Sequence, residues 1–342
     1  MIPRTGPSWQ SESTLSWQQQ LQSVITDPKE LLHLLELDPN LNHAATLASR
    51  QFPLRAPHAF VDRMERGNPN DPLLMQVLPI QEELIAQSGY SADPLLEQGN
   101  QQAGLIQKYH GRVLLLVNGH CAVNCRYCFR RHFPYEDNRL NKTQWLEVIE
   151  QIKSDSTVEE VIYSGGDPLA SSDRQLRWLT EQITAIPHIK RLRIHSRLPV
   201  VIPDRVNAEC IDWLTQHDLQ TIFVLHINHP NEIDHHLQAA IKRLGDAGIT
   251  LLNQAVLLKG INDSAEVLKA LSDQLFATGV LPYYLHLFDP VAGAAHFDVP
   301  LTEATILHDE LLACLPGYLV PKLVKEIAGE SSKTPVSAIT KL

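Results

Sequence analysis

Short runs of aliphatic and β-branched residues recur through the middle of the chain, and each is followed by a segment whose apolar residues have helical spacing. The runs begin near Arg112, Glu159, Ile189, Leu219, Gly248 and Val280. Successive starts are separated by 47, 30, 30, 29 and 32 residues, so only the first gap is long. Strand–helix units that repeat at this interval predict parallel strands joined by right-handed helical crossovers.

Six such units predict an α/β fold in which a partial (βα)6 TIM-like barrel occupies residues 101–300, because a closed barrel has eight. A doubly wound open sheet has the same periodicity and remains the alternative. Residues 1–100 are expected to form a helical N-terminal region, since "TDPKELLHLLEL" has Thr26 or Asp27 at the N-cap position and Pro28 in the first turn. Residues 301–342 are expected to form a separate C-terminal segment.

Composition narrows the class of protein. With 342 residues, 44% of them hydrophobic, the chain can bury a large core. Its formal net charge of −10 argues against binding to nucleic acids or anionic membranes. No apolar run approaches the length of a membrane span, and the polar first residues lack the pattern of a secretory signal. Five cysteines without such a signal favour a reducing compartment. We therefore expect a cytoplasmic protein with no nucleic-acid or membrane partner.

Polar groups accumulate where the predicted strands end. In chain order these ends are the cysteine loop, "SGGDPL", "HSR", "HINH", "NQ" and "HLFD". Because the carboxyl ends of parallel strands meet at one face of such folds, we expect these groups to converge there. Loops are commonly polar, but this combination favours an active-site rim.

Three of the five cysteines, Cys121, Cys125 and Cys128, lie within eight positions in "HCAVNCRYCFRRHF". A structural zinc site usually has four ligands, so zinc would need a fourth, for which His120 and His132 are candidates. A [4Fe-4S] cluster with three thiolates instead leaves one iron open to a non-protein ligand. The compact spacing after a strand favours such a catalytic cluster. A zinc-stabilised binding protein without catalysis and unrelated core cysteines remain alternatives.

The C-x3-C-x2-C spacing after the first strand of a βα barrel resembles the radical S-adenosylmethionine (SAM) enzymes. More narrowly, the chain resembles the lysine 2,3-aminomutases from about residue 50 to residue 336. The strings that carry this resemblance, in the family's order, are "KYHGRVLLLVNGHCAVNCRYCFRR", "SGGDPL", "HINHPNE", "NQAVLLKGIND", "PYYLHLFD" and "KTPV". Within the family it is most similar to the bacterial branch whose (R)-β-lysine is attached to elongation factor P.

The resemblance implies an isomerase that converts L-lysine to β-lysine with a [4Fe-4S] cluster, SAM and pyridoxal 5′-phosphate (PLP). It also implies a reductant such as flavodoxin or ferredoxin, and a downstream enzyme that transfers the product to elongation factor P. A glutamate 2,3-aminomutase, or another radical SAM enzyme, remains the alternative within this superfamily.

The resemblance assigns cofactor contacts residue by residue. The cluster ligands correspond to Cys121, Cys125 and Cys128. The stretch whose backbone meets the amino group of SAM corresponds to Ser164, Gly165, Gly166 and Asp167. The covalent PLP anchor and two PLP-phosphate contacts correspond to Lys333, Tyr109 and Arg112.

Several of these positions have a second interpretation. The glycines permit close approach of a ligand to the main chain, but Asp167 and Pro168 opening a helix explain the same string equally well. Lys333 follows "AGESS", where the family has a glycine run. Lys108 stands where the family often has arginine, and Arg112 also fits a charge that flanks a strand.

For the substrate, Arg130 corresponds to the arginine that binds the carboxylate, a task suited to a bidentate guanidinium. Asp289 and Glu326 correspond to the carboxylates around the side-chain ammonium of lysine, and Glu326 replaces the usual aspartate. These two acids disfavour glutamate as the substrate because buried like charges repel. His226 and His229 are expected to line the cofactor face rather than to bind a metal.

Overall fold

The computed structural model describes residues 15–99 and 103–336. Residues 1–14 of the predicted N-terminal region, residues 100–102 at its boundary with the barrel and residues 337–342 of the C-terminal segment lie outside the described residues. Within the described residues, no helix has the length and apolar character needed to cross a membrane.

One sheet organises the described chain. Its strands, in sequence order, are β1 (Leu105–Tyr109), β2 (Arg112–Asn118), β3 (Glu160–Gly165), β4 (Arg191–Ser196), β5 (Gln220–His226), β6 (Thr250–Val256), β7 (Leu281–His286), β8 (Lys322–Lys325) and β9 (Thr334–Pro335). Strands β2 to β8 are parallel, while β1 and β9 pair antiparallel at the two edges. Because spatial order equals sequence order, the fold is the predicted partial barrel, since a doubly wound sheet reverses its order at a switch point.

Helices connect the parallel strands as predicted. The α-helices are α1 (Trp17–Gln22), α2 (Pro28–Leu34), α3 (Leu41–Gln51), α4 (His58–Val61), α5 (Lys142–Ser154), α6 (Asp173–Thr184), α7 (Leu198–Val201), α8 (Ala208–Thr215), α9 (His235–Asp246), α10 (Ala265–Ala277) and α11 (Leu301–Cys314). One helical crossover, formed by α5, α6, α7 with α8, α9, α10 or α11, lies between each successive pair from β2 to β8. All six predicted strands are therefore confirmed as six βα units, and β8 adds a seventh parallel strand.

Side-chain caps fix where most crossover helices begin. Asn141, Ser172, Asn207, Asp234 and Ser264 each accept a hydrogen bond from a backbone N–H in the first turn of α5, α6, α8, α9 and α10 respectively. In the N-terminal region Asp27, rather than Thr26, caps α2, with Pro28 at the first helical position.

The inner face of the sheet is unusually polar. In β4, Leu192 and Ile194 are fully buried in the main core, whereas the alternating residues Arg193 and His195 line a cavity on the opposite face. Every one of the nine strands contributes residues to the lining of this cavity. The sheet therefore wraps around a polar interior, which the loops after the strands extend.

Candidate active site

The cavity has a volume of about 610 Å³. Its lining includes all the residues that the sequence assigns to the cluster, to SAM, to PLP and to the substrate, namely Cys121, Cys125, Cys128, Tyr109, Arg112, Arg130, Ser164, Gly165, Gly166, Asp167, Asp289, Glu326 and Lys333. These residues span most of the chain, so only the closed arrangement of the strands makes them neighbours. Their roles stay predictions, but their convergence is a property of the fold.

The cysteine loop after β2 is held by the helical N-terminal region. Arg55 donates from Nε to the carbonyl of Cys121 at 3.0 Å, and the Asn124 N–H donates to the carbonyl of Arg55 at 3.1 Å. Arg126, buried within the loop, forms an ion pair with the buried Glu83. The N-terminal helices thus clamp the loop that carries the three thiols.

The three thiols fit a cluster through the chemistry of the donor set. Burial, together with Asp167, Cys128 and Cys125, raises the pKa of Cys121 well above its usual value. Burial and Cys125 likewise raise the pKa of Cys128 to about 11. Ionising Cys121 and Cys128 together is therefore costly without a compensating positive charge, and an iron core would supply that charge.

The zinc alternative finds no support in this geometry. Among the described residues, no group of three or more His, Cys, Asp or Glu side chains is arranged to hold a single metal ion. His132 instead has its Nε2 3.1 Å from the carbonyl of Ala292. A cubane does not require its cysteines to converge on one point, because each thiolate binds a different iron.

Arg197 contacts the cysteine loop, and sequence reasoning did not single it out. Its Nη1 lies 2.7 Å from Sγ of Cys125, and its Nη2 donates to Oε1 of Gln76 at 2.6 Å. Glu232, fully buried, accepts from the same guanidinium at 3.2 Å. A fixed positive charge therefore lies beside one of the predicted cluster ligands.

The "SGGDPL" turn packs directly against the cysteine loop. A Cβ on Gly165 would lie 2.4 Å from the carbonyl oxygen of Asn118, and one on Gly166 would lie 2.7 Å from that of His120. Gly165 also has a φ of 123°, which favours glycine. The Gly166 and Asp167 N–H groups donate to these same two carbonyls, at 2.6 and 2.9 Å. Glycine is required here by the approach of two main chains, before any ligand is considered.

Asp167 has a structural task of its own. Its buried carboxylate accepts from the Leu169 N–H, capping a short helix at Pro168–Ala170, and from the backbone N–H groups of Arg197 and Leu198. The predicted strand-to-helix turn is therefore present, in the same segment that is predicted to bind SAM. The N–H groups of the turn are already paired. The turn can therefore bind the ammonium group of SAM, which is a donor, through the carbonyl oxygens of the turn more readily than it can bind an acceptor.

Lys333 and Glu326 form an ion pair in the lining of the cavity. The Nζ of Lys333 lies 2.7 Å from Oε2 of Glu326, and the Nζ of Lys108 lies 2.8 Å from Oε1. Although burial opposes ionisation, Lys333 and Lys108 hold the pKa of Glu326 well below its usual range. Lys108 therefore lies beside a carboxylate, a contact that the sequence did not indicate.

Orphaned polar atoms in the lining of the cavity fit an anionic, aromatic cofactor. Among the described residues, buried nitrogens without a hydrogen-bond partner include Nε of Arg112 and Nε2 of His195 and His286. All three side chains line the cavity, and the Arg112 guanidinium lies 4.7 Å from the ring centre of Tyr109. A primary amine at Lys333 with an unpaired guanidinium N–H nearby suits PLP, since buried donors are normally paired.

Arg130 is bound on one side by Glu97, a residue that the sequence analysis missed. Nε and Nη2 of Arg130 donate to the two carboxylate oxygens of Glu97 at 2.6 and 2.9 Å. Nη1 of Arg130 lies 3.3 Å from Oγ of Ser164. The edge formed by Nη1 and Nη2 remains the one by which this guanidinium could bind a substrate carboxylate. No local sequence signal marks Glu97, because its partners are distant in the chain.

Asp289 lies at the exit of β7 in the same cavity. Burial and the nearby Glu326 raise its pKa to about 7, against the opposing effect of Lys333 and Lys108. A cation that binds beside this carboxyl group would favour its ionised form and lower its pKa. Asp289 and Glu326 thus form an acidic corner, next to the predicted cofactor lysine.

The two histidines of "HINH" separate. His226 lines the cavity, where burial lowers its pKa to about 3 and its Nε2 lies 2.9 Å from Nε2 of Gln254. His229 is not among the lining residues, and its Nδ1 accepts from the Asn231 N–H to cap a short helix at Pro230–Glu232. Of the two histidines, His226 therefore lies where a cofactor could contact it, and His229 does not line this cavity.

Of the other lining residues, His195, Gln254 and His286 belong to the polar strand ends that the sequence predicts to converge, whereas Arg193 and Tyr284 were missed. A signal for them exists: "RLRIHS" alternates charged and aliphatic residues, although strands of parallel sheets usually read as continuous apolar runs. Alternation in a parallel strand indicates a polar face turned toward a ligand.

Comparisons with known proteins agree with this geometry. The sequence profile of the Radical SAM superfamily matches residues 115–271. The L-lysine 2,3-aminomutase of Escherichia coli K12 is 53% identical over 321 residues, which cover 94% of this chain and 94% of that protein. The L-lysine 2,3-aminomutase of Haemophilus influenzae is 50% identical, over 93% of this chain and 95% of that protein. That of Clostridium subterminale is 33% identical, over 94% of this chain and 77% of that protein.

Proposed function

The chain belongs to the L-lysine 2,3-aminomutase family of radical SAM enzymes, and on this premise we propose that it converts L-lysine to β-lysine by moving the amino group from Cα to Cβ. The product is the R enantiomer, following the bacterial branch that the sequence most resembles. The reaction is an isomerisation, so no atom is gained or lost.

One observation carries the proposal. A single cavity is lined by three thiols beside a glycine turn and by a lysine beside two carboxylates. Radical generation and substrate binding need these two halves to face each other across a space that excludes bulk water. A cavity of about 610 Å³ has room for a small amino acid together with cofactors.

Each cofactor has its own set of residues. Cys121, Cys125 and Cys128 would hold a [4Fe-4S] cluster, the turn Ser164–Asp167 would hold SAM, and Lys333 with Tyr109 and Arg112 would hold PLP. When bound, the cluster and SAM supply a radical able to abstract an unactivated hydrogen, and PLP supplies an electron sink at the migrating nitrogen.

The protein's own side chains position the substrate. Arg130 binds the α-carboxylate through the guanidinium edge that Glu97 leaves open. Asp289 and Glu326 receive the side-chain ammonium, which needs charged partners in a buried pocket. Binding of the substrate at both ends fixes the position of Cβ, so geometry determines which hydrogen is abstracted.

Partners and location follow from this chemistry. L-lysine is the substrate, and a protein reductant such as flavodoxin or ferredoxin supplies the electron. We propose that the β-lysine passes to the enzyme that attaches it to elongation factor P, in the cytoplasm. The cysteines among the described residues are all free thiols, which is consistent with such a reducing compartment.

Anaerobic reconstitution with iron, sulfide, SAM, PLP and a reductant tests the proposal. The enzyme should convert L-lysine to a single β-lysine enantiomer, identified by chiral chromatography. L-glutamate should react far more slowly, because its side-chain carboxylate would face Asp289 and Glu326. Preferred turnover of L-glutamate, or protein that contains zinc but no iron and turns over neither amino acid, would contradict the proposal.

A further inference from the structure

Tyr135 joins the end of the cysteine loop to the glycine turn. Its hydroxyl donates to the carbonyl oxygen of Gly165 at 2.8 Å, and its side chain lines the same cavity as the three thiols. Nη1 of Arg130 lies 3.4 Å from the same oxygen. One carbonyl of the turn therefore receives hydrogen bonds from two side chains, and the tyrosine makes the shorter one.

The hydroxyl of Tyr135 completes the restraint of one peptide group. The C=O of Gly165 and the N–H of Gly166 belong to the same planar unit. Tyr135 donates to the C=O, and the N–H donates to the carbonyl of Asn118 at 2.6 Å. A peptide between two glycines has no side chain to limit its rotation, so external contacts must hold it. Here a contact at each end does so.

The next peptide group is held at one end only. The Asp167 N–H donates to the carbonyl of His120 at 2.9 Å, whereas the carbonyl of Gly166 receives no hydrogen bond within the described part of the chain. An acceptor that lines a cavity and lacks a protein donor is suited to a ligand donor. The orientation of this carbonyl depends on how the preceding peptide is held, and therefore on Tyr135.

Tyr135 is itself held firmly. Its ring centre lies 4.8 Å from that of Phe133, and it packs against the buried cluster of Ile106, Leu116 and Phe133. A Cβ on Gly119 would lie 2.7 Å from Cβ of Tyr135, so the chain that leads into the cysteine loop fits closely around it. Burial raises the pKa of Tyr135 well above its usual value, so the phenol stays protonated and keeps its donor.

From these contacts we propose that Tyr135 is a positioning residue for SAM: its hydroxyl holds the peptide between Gly165 and Gly166, so that the carbonyl of Gly166 is presented to the ammonium group of SAM. The inference rests on the proposed function, in which the turn at residues 164–167 binds SAM. Loss of the hydroxyl should weaken SAM binding and spare the cluster and the lysine site. A tyrosine that only stabilised the fold would affect all three.

Tyr135→Phe tests this, because it removes the hydroxyl and keeps the ring. Calorimetry with SAM is carried out on enzyme that contains the oxidised cluster and no reductant, so SAM is not cleaved. The affinity for SAM should fall about fivefold or more, as expected for the loss of one hydrogen bond. Iron and sulfide content should stay at the parental level, as should the affinity of PLP-loaded enzyme for L-lysine without SAM.

Tyr163→Phe is the matched control. Tyr163 is fully buried, its hydroxyl lies 3.1 Å from Oγ1 of Thr180, and it does not line the cavity. This variant also loses a buried hydroxyl contact, yet it should bind SAM as the parent does.

Phe133→Leu provides a second route to the same contact, because it removes the ring packed on Tyr135 and leaves the hydroxyl in place. It should weaken SAM binding less than Tyr135→Phe does. Because both changes act through one hydroxyl, the double variant should bind SAM no more weakly than Tyr135→Phe alone. Should Tyr135→Phe fail to fold, Phe133→Leu decides: weaker SAM binding at full cluster content supports the inference, and parental binding overturns it.

Parental affinity for SAM in Tyr135→Phe would overturn the inference. A parallel loss of iron or of lysine affinity in that variant would overturn it as well, because Tyr135 would then be a structural residue. A parent enzyme that has a full cluster but binds no SAM would contradict the proposed function itself, and the inference with it.

Discussion

Lys333 and Glu326 form an ion pair of 2.7 Å in the segment that joins β8 to β9, with Glu326 just after one strand and Lys333 just before the other. The antiparallel pairing of Val324 with Pro335 and of Lys325 with Thr334 brings the two side chains together. A residue predicted to anchor a cofactor and one predicted to bind the substrate are thus direct partners. An amine held by a carboxylate is localised before any cofactor arrives.

Replacing Lys333 with Ala should abolish covalent attachment of PLP while the iron and sulfide content stays at the parental level, because Lys333 is paired with Glu326 and belongs to a different segment from the cysteine loop. Borohydride reduction followed by peptide mass spectrometry locates the modified lysine. Lys242→Ala, which removes an exposed lysine on α9, is the control and should keep the modification. Attachment at another lysine in the parent would show that Lys333 is not the anchor.

Asp289→Asn should reduce kcat/KM for L-lysine by at least about tenfold, from the loss of a charge-assisted contact worth ~1.5–3 kcal/mol. The pKa of Asp289 without substrate is raised to about 7. An ammonium binds the ionised carboxylate, so below that pH binding must release a proton and is weaker. The affinity for lysine should therefore rise as pH increases through about 7 and level off above it.

The amide at position 289 cannot ionise, so Asp289→Asn should also remove this pH dependence. The charged groups that act on Asp289 are Glu326, Lys333, Lys108 and Glu97. Calorimetric titrations with lysine across the pH range, for parent and variant, decide the matter. An equal pH slope in both proteins would assign the titration to another group.

Cys125→Ala should lose the cluster, because one iron would lack its thiolate. Iron and sulfide analysis and the visible absorbance of anaerobically purified protein measure the loss. Cys314→Ala is the matched control, since Cys314 is an exposed cysteine on α11 and does not line the cavity. A full iron complement in Cys125→Ala would exclude Cys125 as a ligand.

Gly166→Ala should displace the cysteine loop, because the added Cβ would lie 2.7 Å from the carbonyl oxygen of His120 and 2.8 Å from the carbonyl carbon of Gly119. Backbone atoms cannot move aside as the end of a flexible side chain can. We therefore expect a lower cluster content and at least about tenfold weaker SAM binding, since core overpacking costs ~1–3 kcal/mol. Gly317→Ala meets no atom within 4 Å and should match the parent. Calorimetry with SAM and iron analysis compare the two variants, and unchanged values in Gly166→Ala would contradict the proposed contact.

Sequence patterns predicted the central strands because each is long, aliphatic and followed by a helix. β8 and β9 escaped prediction, since four and two residues carry too little periodicity. β1 has a signal that was not used: Gly111, with a φ of 76°, follows it in a tight turn to β2.

The site was predictable where its functional residues lie close together in the sequence, as in the cysteine loop and the glycine turn. Glu97 and Arg197 were missed because their importance comes from partners such as Arg130 and Cys125, which only folding brings near. The contact of Lys108 with Glu326 was missed for the same reason, since it joins residues 218 positions apart. Ion pairs between residues far apart in the chain produce no periodic pattern in the sequence.

The open sheet has a consequence for how a buried site is reached. β1 and β9 are its two edges and do not pair with each other within the described residues. Lys108 on β1 reaches Glu326 after β8 by its side chain, so the barrel is closed on this side by an ion pair instead of a ladder of main-chain hydrogen bonds. Separating the two edges would break only a few contacts of ~1.5–3 kcal/mol each. The strands on either side would stay intact. The two side chains are only 24% and 14% exposed, so salt screens this contact far less than it would screen an ion pair on the surface.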